Sequence, residues 1–320
     1  MPAYVKTCLR LLGATLLIVL IARQVELTEL ADVFASARWD GLLWSLATIM
    51  AVRLLMAWRL QLIGREFSVD TSYHASFAML STSSLAGFAL PGGIAQDLVR
   101  GWQLNAFARD VRKALSIVLL DKYFGIIAIL PIGVLALVFV GELIPPLVGW
   151  LLVVALLGSL LATAVAKRLG TRLIARFHPP AKLAQLIEVI GDNISPSASF
   201  VRLYGLSLVV QTLRCVAFIA LFYAYSAGIA PLLAFVYVPV LVIVIIAPIS
   251  LGGLGVREGL LLAMFLPLGA DAERLVMIGF SHMIIELLSS LPGVWYAVRG
   301  IPDADAQAAA AESTSEAASS

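Results

Sequence analysis

Two arginines, Arg53 and Arg214, stand inside stretches that are otherwise apolar. A charge at that depth is costly and faces a bundle interior or a cavity. Each is therefore either a clamp for an anion such as phosphate, or a residue that snorkels to the interface or joins a buried ion pair. Arg53 lies about two helical turns from the inner end of its apolar run, which keeps snorkelling open. Two further arginines follow backbone breaks: Arg100 comes after Pro91-Gly92-Gly93, and Arg257 comes after Pro248, Gly252, Gly253 and Gly255. Proline stops a helix by lacking an N–H, and glycine permits positive φ and close approach. The helix that restarts after each break presents free N–H groups and a partial positive charge, which attract phosphate or carboxylate. The chemistry these residues suggest is the binding of an anionic group at depth.

The acids around them allow two readings. Asp97 and Arg100 are one helical turn apart and can pair, as can the neighbours Arg257 and Glu258. Alternatively the arginines face an anion and the acids face an amine or another polar group. Asp121-Lys122 is either a local ion pair at the start of a span or part of a binding site. Glu286 either carries a coupling proton or hydrogen-bonds a neighbour, and His282 is an interhelical donor or a proton relay. Ser81-Thr82-Ser83-Ser84 reads as a close-packing run. His74, His178 and His282 are scattered singly, so no metal site is expected. Cys8 and Cys215 do not make a disulfide framework, since Cys215 lies in an apolar segment. Gly253-Leu-Gly255 follows no strand and lacks the third glycine of a nucleotide fingerprint, and no phosphate-binding loop of the Walker type occurs. No cofactor, nucleotide or nucleic acid is expected as a partner.

The elements that must position these residues follow from composition. Of 320 residues, 61% are hydrophobic and 13% charged, and the mean hydropathy is +0.98. Soluble domains have about 45–50% apolar and about 25% charged residues. The chain is thus an all-α polytopic membrane protein; its apolar runs are too long and unalternating for an outer-membrane barrel. Runs long enough to span occupy residues 9–25, 41–63, 115–140, 147–166, 203–227 and 272–298. Residues 74–108 and 231–268 are apolar but broken at the Pro/Gly sites. Lys6 and Arg10 precede the first run without a nearby cleavage site, so it reads as an uncleaved span with a cytoplasmic N-terminus. Arg59 and Arg65 mark the inner end of the second span, and Arg100, Arg109, Arg112 and Lys113 are also inside. The six bases of 167–202 place that loop inside too, whereas Asp271, Glu273 and Arg274 form an outer turn. The consistent solution is six full spans plus two re-entrant helical hairpins, one dipping from each face. Letting the broken segments cross gives eight to ten spans and puts the basic stretch 100–113 outside. Trp39, Trp44, Trp150 and Trp295 suit interfacial anchors. Residues 1–302 form one transmembrane domain, and the acidic Ala/Ser-rich stretch 303–320 reads as a disordered tail.

The two halves, about 5–141 and 145–300, correspond at an offset near 160. Gly92-Gly93 maps to Gly252-Gly253, Arg53 falls within one residue of Arg214, and Asp121-Lys122 meets Ser281-His282. The order span, span, hairpin, span recurs with opposite orientation. Transporters use such inverted repeats, and corresponding broken segments point to the substrate site.

The stretch Pro248-Ile-Ser-Leu-Gly-Gly-Leu-Gly-Val-Arg-Glu-Gly259 resembles the signature of the lysylphosphatidylglycerol synthase transmembrane-region family, also called flippase-like. Leu90-Pro-Gly-Gly-Ile-Ala-Gln-Asp-Leu-Val-Arg100 resembles that family's first motif, Leu119-Leu-Asp-Lys122 its Asp-Arg step, and Ala57-Trp-Arg59 the Arg/Trp-rich end of its second span. The resemblance covers roughly residues 5–300. Ala95-Gln96 stands where the family often has glycine before the aspartate, and Lys122 replaces the usual arginine, keeping charge but losing the bidentate fork. The resemblance implies translocation of an anionic or modified phospholipid, or of an isoprenoid-type lipid, across a bacterial inner membrane. The soluble synthase domain of the best-known members has no counterpart after Arg299, so aminoacyl transfer is not implied. The membrane lipid would be the partner, with a homo-oligomer as a further option. On this reading the substrate-binding residues are Arg53, Asp97, Arg100, Asp121, Lys122, Arg214, Arg257 and Glu258. The motif glycines are Gly92, Gly93, Gly252, Gly253 and Gly255, and His282 and Glu286 would serve proton coupling. The alternatives are a membrane-embedded lipid transferase, with Asp97 or Glu258 as base, and an envelope-biogenesis scaffold.

Overall fold

The computed structural model describes residues 32–89, 95–177, 184, 198–246 and 255–302. The first predicted span, the four glycines of the two breaks, Pro91, Pro248, Cys8, His178 and the acidic tail lie outside the described residues. Within them every regular element is helical: α1 (Trp39–Glu66), α2 (Tyr73–Ala89), α3 (Ala95–Ala108), α4 (Val111–Val140), α5 (Pro146–Phe177), α6 (Ala198–Ala224), α7 (Ala234–Ile246), α8 (Val256–Phe265), α9 (Ala272–Ser290) and α10 (Pro292–Arg299). Three single turns of 3-10 helix join them, at Gly141–Leu143, Pro231–Leu233 and Leu266–Leu268.

Five segments are long and apolar enough to cross a bilayer: Trp39–Glu66, Val111–Leu143, Pro146–Val165, Ala198–Ala224 and Ala272–Arg299. They coincide with five of the six spans read from the sequence. The chain is therefore a multi-pass, all-α membrane protein. The broken segments consist of short helices. α2 has 17 residues, α3 14, α7 13 and α8 10. At 1.5 Å per residue the described parts of these helices run about 15–25 Å. α2 packs against α3, and α7 against α8.

Local chemistry explains several boundaries. Asp110 caps α4, its carboxylate accepting from the N–H groups of Arg112 (2.8 Å) and Lys113 (3.4 Å). The last span breaks at Leu291, because Pro292 has no N–H to continue α9, and α10 resumes at once. α4 carries Pro131 in its interior and α7 carries Pro239. The two helices cross where Gly133 lies against the Pro239 ring.

α1 and α6 pack along most of their length. They come close at Gly41, where a Cβ would lie 2.8 Å from Ala224 Cβ and 2.9 Å from the Ala220 carbonyl oxygen. Small residues at such crossings let membrane helices associate by van der Waals contact, since lipid gives no hydrophobic drive between them. The core divides in two. One apolar cluster includes Ala57, Leu60, Met79, Leu104, Ile117 and Phe124; the other includes Ile129, Phe218, Tyr237, Leu261, Phe265 and Ile278. On α6 the change from one cluster to the other falls across a polar layer at Ser207, Gln211 and Arg214; on α4 it falls between Phe124 and Ile129, beyond Asp121.

The helix order repeats. Helices α1 to α4 start at 39, 73, 95 and 111; α6 to α9 start at 198, 234, 256 and 272. Three of the four pairs are thus 161 residues apart, and at that shift Arg53 falls on Arg214 and Asp121 on His282.

Candidate functional site

The polar layer is organised around guanidinium groups. Arg59 Nε donates to Asp121 Oδ1 (2.8 Å) and its Nη1 to Ser207 Oγ (3.0 Å). Arg100 Nη1 donates to Asp121 Oδ2 (3.3 Å), and its Nε to Ser83 Oγ (3.4 Å). All three charged groups are 3% exposed. One carboxylate thus bridges α1 and α3 from α4, with a guanidinium on each oxygen. Such charge-assisted bonds are short and strong when both partners are held.

Arg53 forms a second centre. Its Nη1 donates to Ser84 Oγ (3.0 Å), and its Nη2 donates to Ser289 Oγ (2.8 Å) and faces Glu286 Oε2 at 3.7 Å. Gln96 also donates to Ser84 (3.2 Å). Arg53 is 6% exposed, so it faces the bundle interior and does not snorkel. Arg100, Arg214 and Glu286 all lie within its electrostatic range.

The second half is built differently. Among the described residues Arg257, buried at the start of α8, reaches only the Gly279 carbonyl, at 3.5 Å, and its Nε has no partner. Tyr237 O–H donates to the Arg257 carbonyl (3.1 Å) and fixes that backbone. Arg214 contacts Met56 Sδ at 3.2 Å, and its Nε is buried without a partner. Neither forms a salt bridge among the described residues. Glu258 Oε2 instead accepts the Gly255 N–H (2.8 Å), satisfying one of the free donors at the start of α8. Gly255 has φ +79°, the left-handed geometry that glycine accepts readily. His282 stacks on Phe218 with ring centroids 4.4 Å apart, and its Nδ1 is unpartnered.

Several expectations are corrected here. Asp97 pairs with Lys122, not with Arg100. Asp121 therefore does not pair with its neighbour Lys122, because adjacent helical residues point to different faces. Arg257 and Glu258 do not pair either, since Glu258 is spent as a cap. Arg59 does not mark the inner end of its span; it is buried in the network, whereas Arg65 is exposed. His282 makes no hydrogen bond through Nδ1. The serine run packs closely at Ser81, but Ser83 and Ser84 also orient Arg100 and Arg53. Sequence reasoning placed Arg59 in a motif without giving it a site role, and it missed Ser84, Ser207 and Ser289. An acid deep in an apolar run needs a base, and that signal at Asp121 points to Arg59.

The structure brings Arg53, Arg100, Asp121, Arg214 and Glu286 into one layer with Arg59, and sets Arg257, Glu258 and His282 beside it. Asp97 and Lys122 form a more exposed pair next to the first break. Lys122 is 49% exposed in its side chain, so Lys122→Met is expected to change stability by less than about 1 kcal/mol. Thermal melting in detergent checks this; a larger loss would show the pair to be shielded from water.

Among the described residues four guanidiniums (Arg53, Arg59, Arg100, Arg257) and two carboxylates (Asp121, Glu258) are buried, with Arg214 and Glu286 half-buried beside them. The interior has an excess of positive charge. A cavity of about 680 Å³ lies elsewhere, between the start of α1 and the end of α6; it is lined by apolar side chains with Asp40 at its rim. It holds none of the arginines of the layer.

A multi-pass helical bundle with a cationic polar layer and broken helices defines a membrane protein of the kind that handles charged or amphipathic molecules within the bilayer. The chain matches the model of the lysylphosphatidylglycerol synthase TM region over residues 8–293 and belongs to that family. Membership links it to lipid handling. No curated protein and no solved structure is significantly similar to it.

Proposed function

We propose that the protein is a lipid translocase of the bacterial inner membrane. Its N-terminus is cytoplasmic, and its two halves, each containing one re-entrant hairpin, have opposite orientations. The cargo is an anionic or modified phospholipid, or an isoprenoid-type lipid. The observation that carries this reading is the excess of buried guanidinium over carboxylate, set beside two broken helices. Taking a charged headgroup out of water into an apolar medium costs tens of kcal/mol by continuum estimates. Fixed donors that replace its hydration lower that barrier, while the acyl chains stay in lipid. Rocking one repeat against the other would expose the layer to each face in turn. A gradient or the lipid's own disequilibrium would supply the drive.

The test is a dithionite-quench assay in proteoliposomes containing fluorescent phosphatidylglycerol. Wild type is expected to bring inner-leaflet lipid to the quencher, and folded Arg257→Ala to leave that lipid protected. Protection of the inner leaflet by wild type, for every anionic headgroup tried, would sink the reading.

A further inference from the structure

The two halves place Arg53 and Arg214 at equivalent positions, but not in equivalent surroundings. The 161-residue shift that superposes the starts of α2, α3 and α4 on those of α7, α8 and α9 carries Arg53 onto Arg214. The same shift relates each partner of Arg53 to its counterpart around Arg214. Glu286 corresponds to Gly125, Ser289 to Ala128, and Ser84 to Ile245. Every side-chain acceptor that satisfies Arg53 is an apolar residue or glycine in the second copy. Likewise Asp121, which neutralises Arg59 and Arg100, corresponds to His282. Gln96, which donates to Ser84, corresponds to Arg257. The side-chain acceptors of Arg53 have been lost around the second copy and Arg257 has been gained, while Arg59 and Arg100 give way to Ala220 and Leu261 and Asp97 to Glu258.

The consequence is local. Arg257 reaches Gly279, one turn before His282 on α9, and His282 stacks on Phe218, one turn beyond Arg214 on α6; among the described residues all three carry a buried nitrogen without a partner. Glu286 and Asp121 lie within electrostatic range of Arg214, but among the described residues no acid forms a salt bridge with it or with Arg257, and a buried cation without a paired counter-charge is expensive. Resting on the translocase reading, we infer that Arg214 and Arg257 form the anion seat, which takes the phosphate of the cargo headgroup. Arg53, Arg59 and Arg100 are positioning residues, each already held in a salt bridge within the protein. The phosphate occupies in the second half the role that Asp121 plays in the first. His282 Nδ1, flanked by the two cations, lies at the edge of that seat. The division also explains why two arginines at equivalent depths differ in partners: one half is a fixed frame and the other an open receptor.

The test compares Arg53→Gln, Arg214→Gln and Arg257→Gln in the full chain, purified in neutral detergent. Phosphatidylglycerol, phosphatidylcholine or inorganic phosphate is added, and melting and retained lipid are measured. Without ligand, Arg53→Gln is expected to lower Tm. Arg214→Gln and Arg257→Gln are expected to hold or raise it, because each removes an uncompensated buried charge. With phosphatidylglycerol, wild type and Arg53→Gln gain Tm and retain the lipid in native mass spectra. The other two lose about tenfold or more of that retention, the loss of one charge-assisted bond. A gain with phosphatidylglycerol alone makes the ligand a lipid. An equal gain with inorganic phosphate makes it the bare anion. Either supports the seat if Arg214→Gln and Arg257→Gln abolish it. Retention lost only in Arg53→Gln would overturn the division between the halves while leaving an anionic-lipid site in place. Absence of any ligand effect on wild type would overturn the seat and the lipid reading together.

Discussion

Asp121→Ala is expected to lower the thermal midpoint by on the order of 10 °C and to abolish any lipid movement. The carboxylate holds Arg59 through one oxygen and Arg100 through the other, and all three groups are 3% exposed. Removing it leaves two guanidiniums buried without a counter-charge. Breaking one buried pair in this way costs about 3–5 kcal/mol. That is a large fraction of the total stability of a typical domain, about 5–15 kcal/mol. Asp121→Asn keeps an acceptor but loses the charge, so its loss should be smaller than that of alanine. The triple variant Arg59→Met, Arg100→Met, Asp121→Leu should recover much of the stability, since replacing a whole buried ionic cluster by apolar side chains is often neutral or better. Melting curves of the three variants check the set. An unchanged midpoint in Asp121→Ala would mean that water reaches the cluster.

The sequence made the framework legible because the bilayer imposes it. Five of the spans emerge from apolar length alone, and their bounds differ from the observed spans by five residues at most, although α5 itself runs on to Phe177. Asp110 and Pro292 show why: a cap extends α4 upstream to Val111, and a proline divides the last span. The depth of Arg53 and Arg214, and the pairing of broken segments, were also visible, since charge in an apolar run and Pro/Gly interruptions are local signals. The partners were not. Asp121 chooses Arg59 and Arg100 over the adjacent Lys122, and that choice depends on which helix faces meet. Nor could sequence spacing separate Arg53 from Arg214. The difference lies in Glu286 and Ser289, more than two hundred residues along the chain from Arg53, against Gly125 and Ala128 around its counterpart. The periodicity that revealed the repeat says nothing of which copy kept its acceptors.

Gly293→Ala is expected to be the most damaging glycine-to-alanine change among the described residues. A Cβ at this position would lie 2.5 Å from the carbonyl carbon of Ser81, 2.6 Å from its oxygen and 2.7 Å from the nitrogen of Thr82. All three are backbone atoms, so no side-chain rotation relieves the overlap, and α10 must move away from α2. Overpacking in a filled core costs about 1–3 kcal/mol when side chains can yield, and more is expected here. The damage should also reach the polar layer. The next turn of α2 carries Ser83 and Ser84, which accept from Arg100 and Arg53, and Thr82, which accepts from Gln103 at 2.7 Å. A displaced α2 takes these acceptors away from three polar side chains at once, and a buried donor left without its partner costs about 1–3 kcal/mol each. Gly158→Ala on α5 is the matching control. Nothing lies within 4 Å of its added Cβ, so helix propensity alone should act, favouring alanine by up to about 1 kcal/mol. Parallel melting in detergent should therefore show a large fall for Gly293→Ala and no fall for Gly158→Ala. Equal midpoints for the two would mean that α2 and α10 are not in contact. The arginine layer would then take its geometry from α1, α4 and α9 alone.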